Sequence, residues 1–167
     1  FNGLTRVFNY NGSSWAQIGS DIATVTSASF GESVAISSNG NHIAVGCISC
    51  GSNVGSAYVY SLSSGSWNQK GSVLNGDLAS GQFGRSVSIN NDATILAVGS
   101  NSASSGYVKI YKYESSNWQQ TIDIDGESSG DQFGWRVKLS EDGEIVAISG
   151  LDNDGNGVDS GHVRVLD

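Results

Sequence analysis

The residues best suited to chemistry lie in one loop, Leu151-Asp152-Asn153-Asp154-Gly155-Asn156-Gly157-Val158-Asp159-Ser160. Asp152, Asp154, Asn156 and Gly157 fit the opening of an Asp-x-Asp-x-Asn-Gly calcium loop, in which alternate oxygens converge on one hard cation and glycine permits the sharp turn. The glutamate that closes such a loop at position twelve is replaced by Val163, which leaves Asp159 as the substitute ligand. The same letters also make a solvated turn without any ion. A second acidic stretch, Asp125, Glu127 and Asp131, precedes Phe133-Gly134. If the two stretches lie on one rim, six acids share it, and a calcium-dependent or simply acidic contact surface is expected there.

Cys47 and Cys50 form a Cys-x-x-Cys motif, which can be a redox pair, half a zinc site, a small disulfide or two free thiols. Zinc needs two further ligands, and the only histidines, His42 and His162, lie in different repeats. A redox pair belongs at a helix start beside a βαβ unit, and no helical periodicity is visible. A local disulfide or free thiols are therefore favoured. Asn11-Gly12-Ser13 is a glycosylation acceptor pattern in a turn, a small argument for secretion.

Enzyme chemistry finds little support. No nucleophile elbow, phosphate-cradling glycine loop, HExxH or Cys/His pair is present. Glu127 and Asp131 are the only nominees for a sugar-hydrolysing carboxylate pair, and an exposed rim gives them little desolvation to separate their pKa values. The net charge of −8 comes wholly from residues 118–167, where eleven acids face three bases. Residues 1–117 carry five of each. Such a balance argues against nucleic acid or anionic lipid, which are held through Lys and Arg. No apolar run approaches the ~18 residues of a membrane span, so membrane insertion is not expected.

The elements that position these residues follow from a repeat. Phe30-Gly31, Phe83-Gly84 and Phe133-Gly134 recur, each preceded by a tryptophan, Trp15, Trp67 and Trp118, at spacings of 52 and 51 residues. After each Phe-Gly comes an alternating strand (Phe30 to Ile36, Phe83 to Ile89, Phe133 to Leu139) and a tight Asn/Asp/Gly turn. A nearly all-apolar strand follows (Ile43 to Gly46, Ile95 to Gly99, Ile145 to Ile148). A third strand then opens on glycine (Gly55 to Tyr60, Gly106 to Tyr111, Gly161 to Leu166), and a fourth starts at Trp-x-Gln. The expectation is an all-β chain of four-stranded antiparallel units, the pattern of β-propeller blades.

The phenylalanines are expected to wedge between blades and the tryptophans to offer a face to the next blade. The repeat divides one domain, 1–167, into units 15–66, 67–117 and 118–167, with 1–14 the end of a preceding unit. That makes thirteen strands where three blades need twelve, and three blades are too few to close a ring. With no methionine in the chain, this leads to the expectation of a piece of a longer array, or of copies that complete one another.

Phe83-Gly84, Ala97-Val98-Gly99 and Gly106-Tyr107-Val108-Lys109-Ile110-Tyr111, with their equivalents in the other units, resemble the FG-GAP repeats of integrin alpha-chain propellers. The resemblance covers nearly the whole chain and is closest to extended Trp-x-Gln variants of algal and bacterial surface proteins. It implies an extracellular, cell-surface or lumenal location and adhesion or recognition at the upper rim. Two departures matter. The Gly-Ala-Pro element lacks its proline, as at Gly46-Cys47-Ile48, and short turns such as Ser140-Glu141-Asp142-Gly143 stand where integrins carry a calcium loop. Integrin-type metal binding therefore does not transfer.

Three roles are ranked: a non-catalytic scaffold for protein or glycan contact, a structural subunit packed in a large assembly, and, last, a polysaccharide-acting enzyme. Exposed aromatics on the loop face would favour glycan, whereas apolar patches on blade edges would favour assembly.

Overall fold

The computed structural model describes residues 3–23, 29–102 and 104–167. The chain is all-β, in several antiparallel sheets that do not close into a barrel or ring among these residues. It opens with four short strands, β1 (Leu4–Thr5), β2 (Phe8–Tyr10), β3 (Trp15–Gln17) and β4 (Ile22–Ala23), paired β1 with β4 and β2 with β3. The stretch from Leu4 to Tyr10, which would be one strand in the end of a preceding unit, is two short strands instead. A full sheet follows in the order β5 (Phe30–Ile36), β6 (His42–Cys47), β7 (Ser56–Ser63) and β8 (Ser66–Gln69), with β9 (Leu74–Asn75) also on β7. One helical turn, α1 (Cys50–Asn53), joins β6 to β7, and it is irregular because Gly51 and Ser52 hold positive φ.

The next sheet repeats the order with β10 (Ser86–Ile89), β11 (Ile95–Ser100), β12 (Tyr107–Glu114) and β13 (Asn117–Asp125). The last has β14 (Phe133–Leu139), β15 (Val146–Gly150) and β16 (His162–Leu166). The strand order of the second and third sheets agrees with the fourfold repeat, and Phe30 and Phe133 begin their strands, whereas Phe83 lies ahead of β10. The turns differ. Where a tight Asn/Asp/Gly hairpin would turn over two residues, each first hairpin has four between the residues of its closing bond, such as Ser140 N to Ile145 O, and Ser37, Asn90 and Ser140 side chains cap it.

The cores lie between successive sheets. Val7 and Ile22 of the opening strands cluster with Phe30, Ile43, Val45 and Trp67 of the second sheet. Ala44, Ala57 and Val59 cluster with Phe83, Leu96, Tyr111 and Trp118 of the third. Val108 and Ile110 cluster with Phe133, Val137 and Ile148 of the last. Alternation explains this: odd and even residues of a strand face opposite sides, so each sheet has two apolar faces and needs two neighbours. The phenylalanines sit between sheets as expected, with Phe83 and Phe133 fully buried. The tryptophans do not face the next sheet. The indole Nε1 of Trp67 donates to Ile18 O and that of Trp118 to Lys70 O, each on the preceding sheet.

One contact fixes the spacing between sheets. A Cβ built on Gly99 would lie 2.2 Å from Gly134 O, and one on Gly46 would lie 1.9 Å from Gly84 O. The glycine of one sheet therefore touches the Phe-Gly glycine of the next, backbone to backbone. A serine hydroxyl paired with that glycine completes the joint: Ser86 Oγ donates to Gly134 O, and Ser33 Oγ to Gly84 O, both at 2.8 Å.

Candidate functional site

Two surfaces gather polar chemistry. The first is the rim where the loop after β13 meets the loop between β15 and β16. The structure brings together the two acidic stretches that the sequence singled out. Asn153 is buried, and its Nδ2 donates to Asp131 Oδ2 at 2.8 Å and to Glu127 Oε2 at 3.3 Å. Asp131 also accepts from Ser128 N, and its carbonyl accepts from Asp152 N. Gln132 Nε2 donates to the Asp152 carboxylate. The Arg164 guanidinium donates to the backbone carbonyl of Asp125.

These contacts make the two loops one rigid corner. Its oxygens face inward to protein donors. Asp154 accepts from the backbone N of Asp159, and the Asn153 carbonyl accepts from Gly161 N and Ser160 Oγ. No three His, Cys, Asp or Glu side chains among the described residues group closely enough to hold a metal ion. Asp152, Asp154, Asn156 and Asp159 follow a calcium-loop spelling, yet two of these side chains already serve hydrogen bonds that shape the turn. Glu127 and Asp131 share the amide of Asn153.

The thiols of Cys47 and Cys50 are joined as a disulfide, with Cα atoms 5.5 Å apart. Both cysteines are buried, Cys47 at the end of β6 and Cys50 at the start of α1. The bridge closes the tight connection to β7 and leaves no thiolate for zinc. His42 lies elsewhere, its Nδ1 2.8 Å from Ser61 Oγ, and burial pushes its pKa down, as does the Lys70 charge. His162 packs edge-on against Phe133 with its Nε2 buried.

The second surface was not marked by the repeat pattern. β5, β10 and β14 line a cavity of about 530 Å³ that crosses all three complete units. Glu32, Arg85, Arg136 and Lys138 line it, one acid against three bases in a chain of net charge −8. Beside it, the Arg85 guanidinium stacks 4.2 Å from the Trp135 ring centroid and Arg136 lies 5.5 Å from it. Arg85 is also paired with Glu32. One signal could have found this surface: the residue after each Phe-Gly, Glu32, Arg85 and Trp135, changes from unit to unit while its surroundings repeat.

A third cluster explains a buried charge. Lys109, 4% exposed, pairs with Asp77 and lies 3.9 Å from Asp123. Asp123 has its pKa raised by burial, against the pull of Lys109 and with a further push from Asp125 and Asp77. No family model matches the sequence, and a search of the curated proteins finds no match.

Proposed function

We propose that the chain is a run of propeller-type, FG-GAP-like blades acting as a non-catalytic scaffold, outside the cell or in an organelle lumen, and that its contacts are with protein. The observation that carries this reading is the location of exposed apolar side chains. They lie on several sheet faces: Leu4, Phe8, Tyr10 and Trp15 on the opening strands, Val34 and Ile36 on β5, Ile122 on β13, and Val163 and Val165 on β16, with Trp15 69% exposed. Patches on sheet faces suit packing against another protein surface. The disulfide fits an oxidising compartment.

A second reading, glycan contact, has its own support. Trp135 with two guanidinium groups within 5.5 Å of its ring centroid, beside a cavity with surplus positive charge, suits an acidic sugar. A glycan array run beside small-angle scattering tests both. A curved stack of sheets with no glycan bound supports protein contact alone. An acidic glycan whose binding is lost in Arg136→Ala moves the role to the concave face. A scattering profile of two layers face to face overturns the blade reading.

A further inference from the structure

Asn11-Gly12-Ser13 is the only Asn-x-Ser/Thr stretch in the chain, and its middle residue is not proline. It forms the tip of the hairpin that joins β2 to β3, where Tyr10 pairs with Trp15 and Asn11 N donates to Ser14 O. Asn11, Gly12, Ser13 and Ser14 are all exposed. A Cβ built on Gly12 would meet no atom within 4 Å, so the space around the tip is open.

This exposure belongs to the hairpin and not to whatever lies beside the opening strands. The same hairpin passes through Ser63, Ser64, Gly65 and Ser66 in the second sheet, and through Glu114, Ser115 and Ser116 in the third. Both of those sheets are covered on each side by other sheets of the chain, and their Trp67 and Trp118 are buried. Their tip residues are exposed all the same. A tip projects past the paired residues and stays in solvent when sheets stack.

The Asn11 side chain is held by its oxygen and leaves its nitrogen reachable. Its Oδ1 accepts from Ser13 N at 3.0 Å, from Ser13 Oγ at 2.9 Å and from Ser14 N at 2.9 Å. Its Nδ2 donates one hydrogen to Ser14 Oγ at 3.1 Å, and the other meets no acceptor among the described residues. A substituent on Nδ2 leaves all three bonds to the oxygen in place. At most it displaces the single bond to the exposed Ser14 hydroxyl, for which water substitutes. The equivalent tips begin with Ser63 and Glu114, which carry no amide.

We propose that Asn11 carries an N-linked glycan. This modification presupposes the extracellular or lumenal location proposed above. The co-substrate is an oligosaccharide joined through diphosphate to a polyprenyl lipid. Nδ2 attacks the anomeric carbon and forms the N–C bond as the C–O bond to diphosphate breaks. The diphosphate leaves with the electron pair, and Nδ2 gives up one proton to a base of the transferase. The Ser13 hydroxyl, already bonded to Asn11 Oδ1, is the other half of the acceptor.

Peptide mass spectrometry of the full chain recovered from the cells that make it tests this. The expected peptide carries at Asn11 an added mass made of hexose and N-acetylhexosamine residues. A peptide N-glycosidase acting in heavy-oxygen water should remove that mass and leave labelled aspartate at the position. Aspartate with ordinary oxygen, the product of spontaneous Asn-Gly deamidation, counts as no glycan. A bare Asn11 in protein from the medium, the cell surface or a lumenal fraction overturns the glycan and leaves the location standing. A chain found only in the cytosol overturns both. In the same cells Ser13→Ala should lose the added mass and Ser13→Thr should keep it, with denaturation midpoints unchanged because the side chain is exposed. An added mass that survives Ser13→Ala overturns the acceptor assigned here.

Discussion

Trp118 and Trp15 open the same strand type in their sheets and stack on equivalent tyrosines, yet Trp118 is 5% exposed and Trp15 69%. Trp118 has a preceding sheet beneath it, where Lys70 O accepts its indole proton. Trp15 has none among the described residues. The same holds in mirror image for Val108 and Val163. Burial here belongs to the junction and not to the residue type. An open sheet face therefore reports on what should cover it.

The largest expected effect follows from that pair. Trp118→Ala should cost about 3–5 kcal/mol in urea unfolding, as large buried aromatics do. Trp15→Ala should cost under about 1 kcal/mol, since it loses only the exposed contact with Tyr10. Equal losses would show that Trp15 is covered in solution, which light scattering would then have to explain by association.

Next comes the joint itself. Gly99→Ala forces a methyl against a backbone carbonyl that no rotamer change can move, and about 3 kcal/mol of destabilisation is expected. Ser149→Gly, the matching change on the open face, should cost no more than about 1 kcal/mol for the lost hydroxyl bond to Arg136 N and the added chain freedom. If Gly99→Ala proves harmless by denaturation, the sheets are not seated backbone to backbone.

The smallest effect concerns charge. Arg6 on the open strands holds the place of the buried Lys109, and pairs in the open with Asp21. The hydrogen bonds from Arg6 and then Gln17 bring the Asp21 pKa down to about 2. A carboxyl lowered in the folded state adds stability that is present above its ordinary value of 3.8 and is lost as pH falls through about 2. The pair is solvent-exposed, so the gain in stability is small. A carbon-detected NMR titration should place the midpoint near 2, and Arg6→Ala should return it toward the ordinary range. A midpoint unmoved by Arg6→Ala would remove this pair from the description.

Much of the fold was legible because strand periodicity and the Phe-Gly and Trp-x-Gln markers are local. Phe30–Ile36 and Phe133–Leu139 appear with the bounds that alternation gives. The middle strand starts at Ser86, just beyond a bulge where Gly84 N and Arg85 N both donate to Gly99 O. The acidic rim was legible as a juxtaposition, since topology puts those two loops side by side. Its inward use of oxygens was not legible, because it depends on one amide, Asn153, reaching two carboxylates on another segment. The direction of the tryptophans and the basic concave face were missed for a related reason: both are relations between sheets.

The order of strands, the apolar faces and the places where glycine is indispensable are written in the sequence, because each depends on residues a few positions apart. Which sheet covers which, which carboxylates are spoken for, and which faces stay open were settled only by the tertiary structure. Those depend on distances between segments about forty to fifty residues apart, as Gly46 and Gly84 or Trp118 and Lys70 are. No local pattern encodes the space between two backbones.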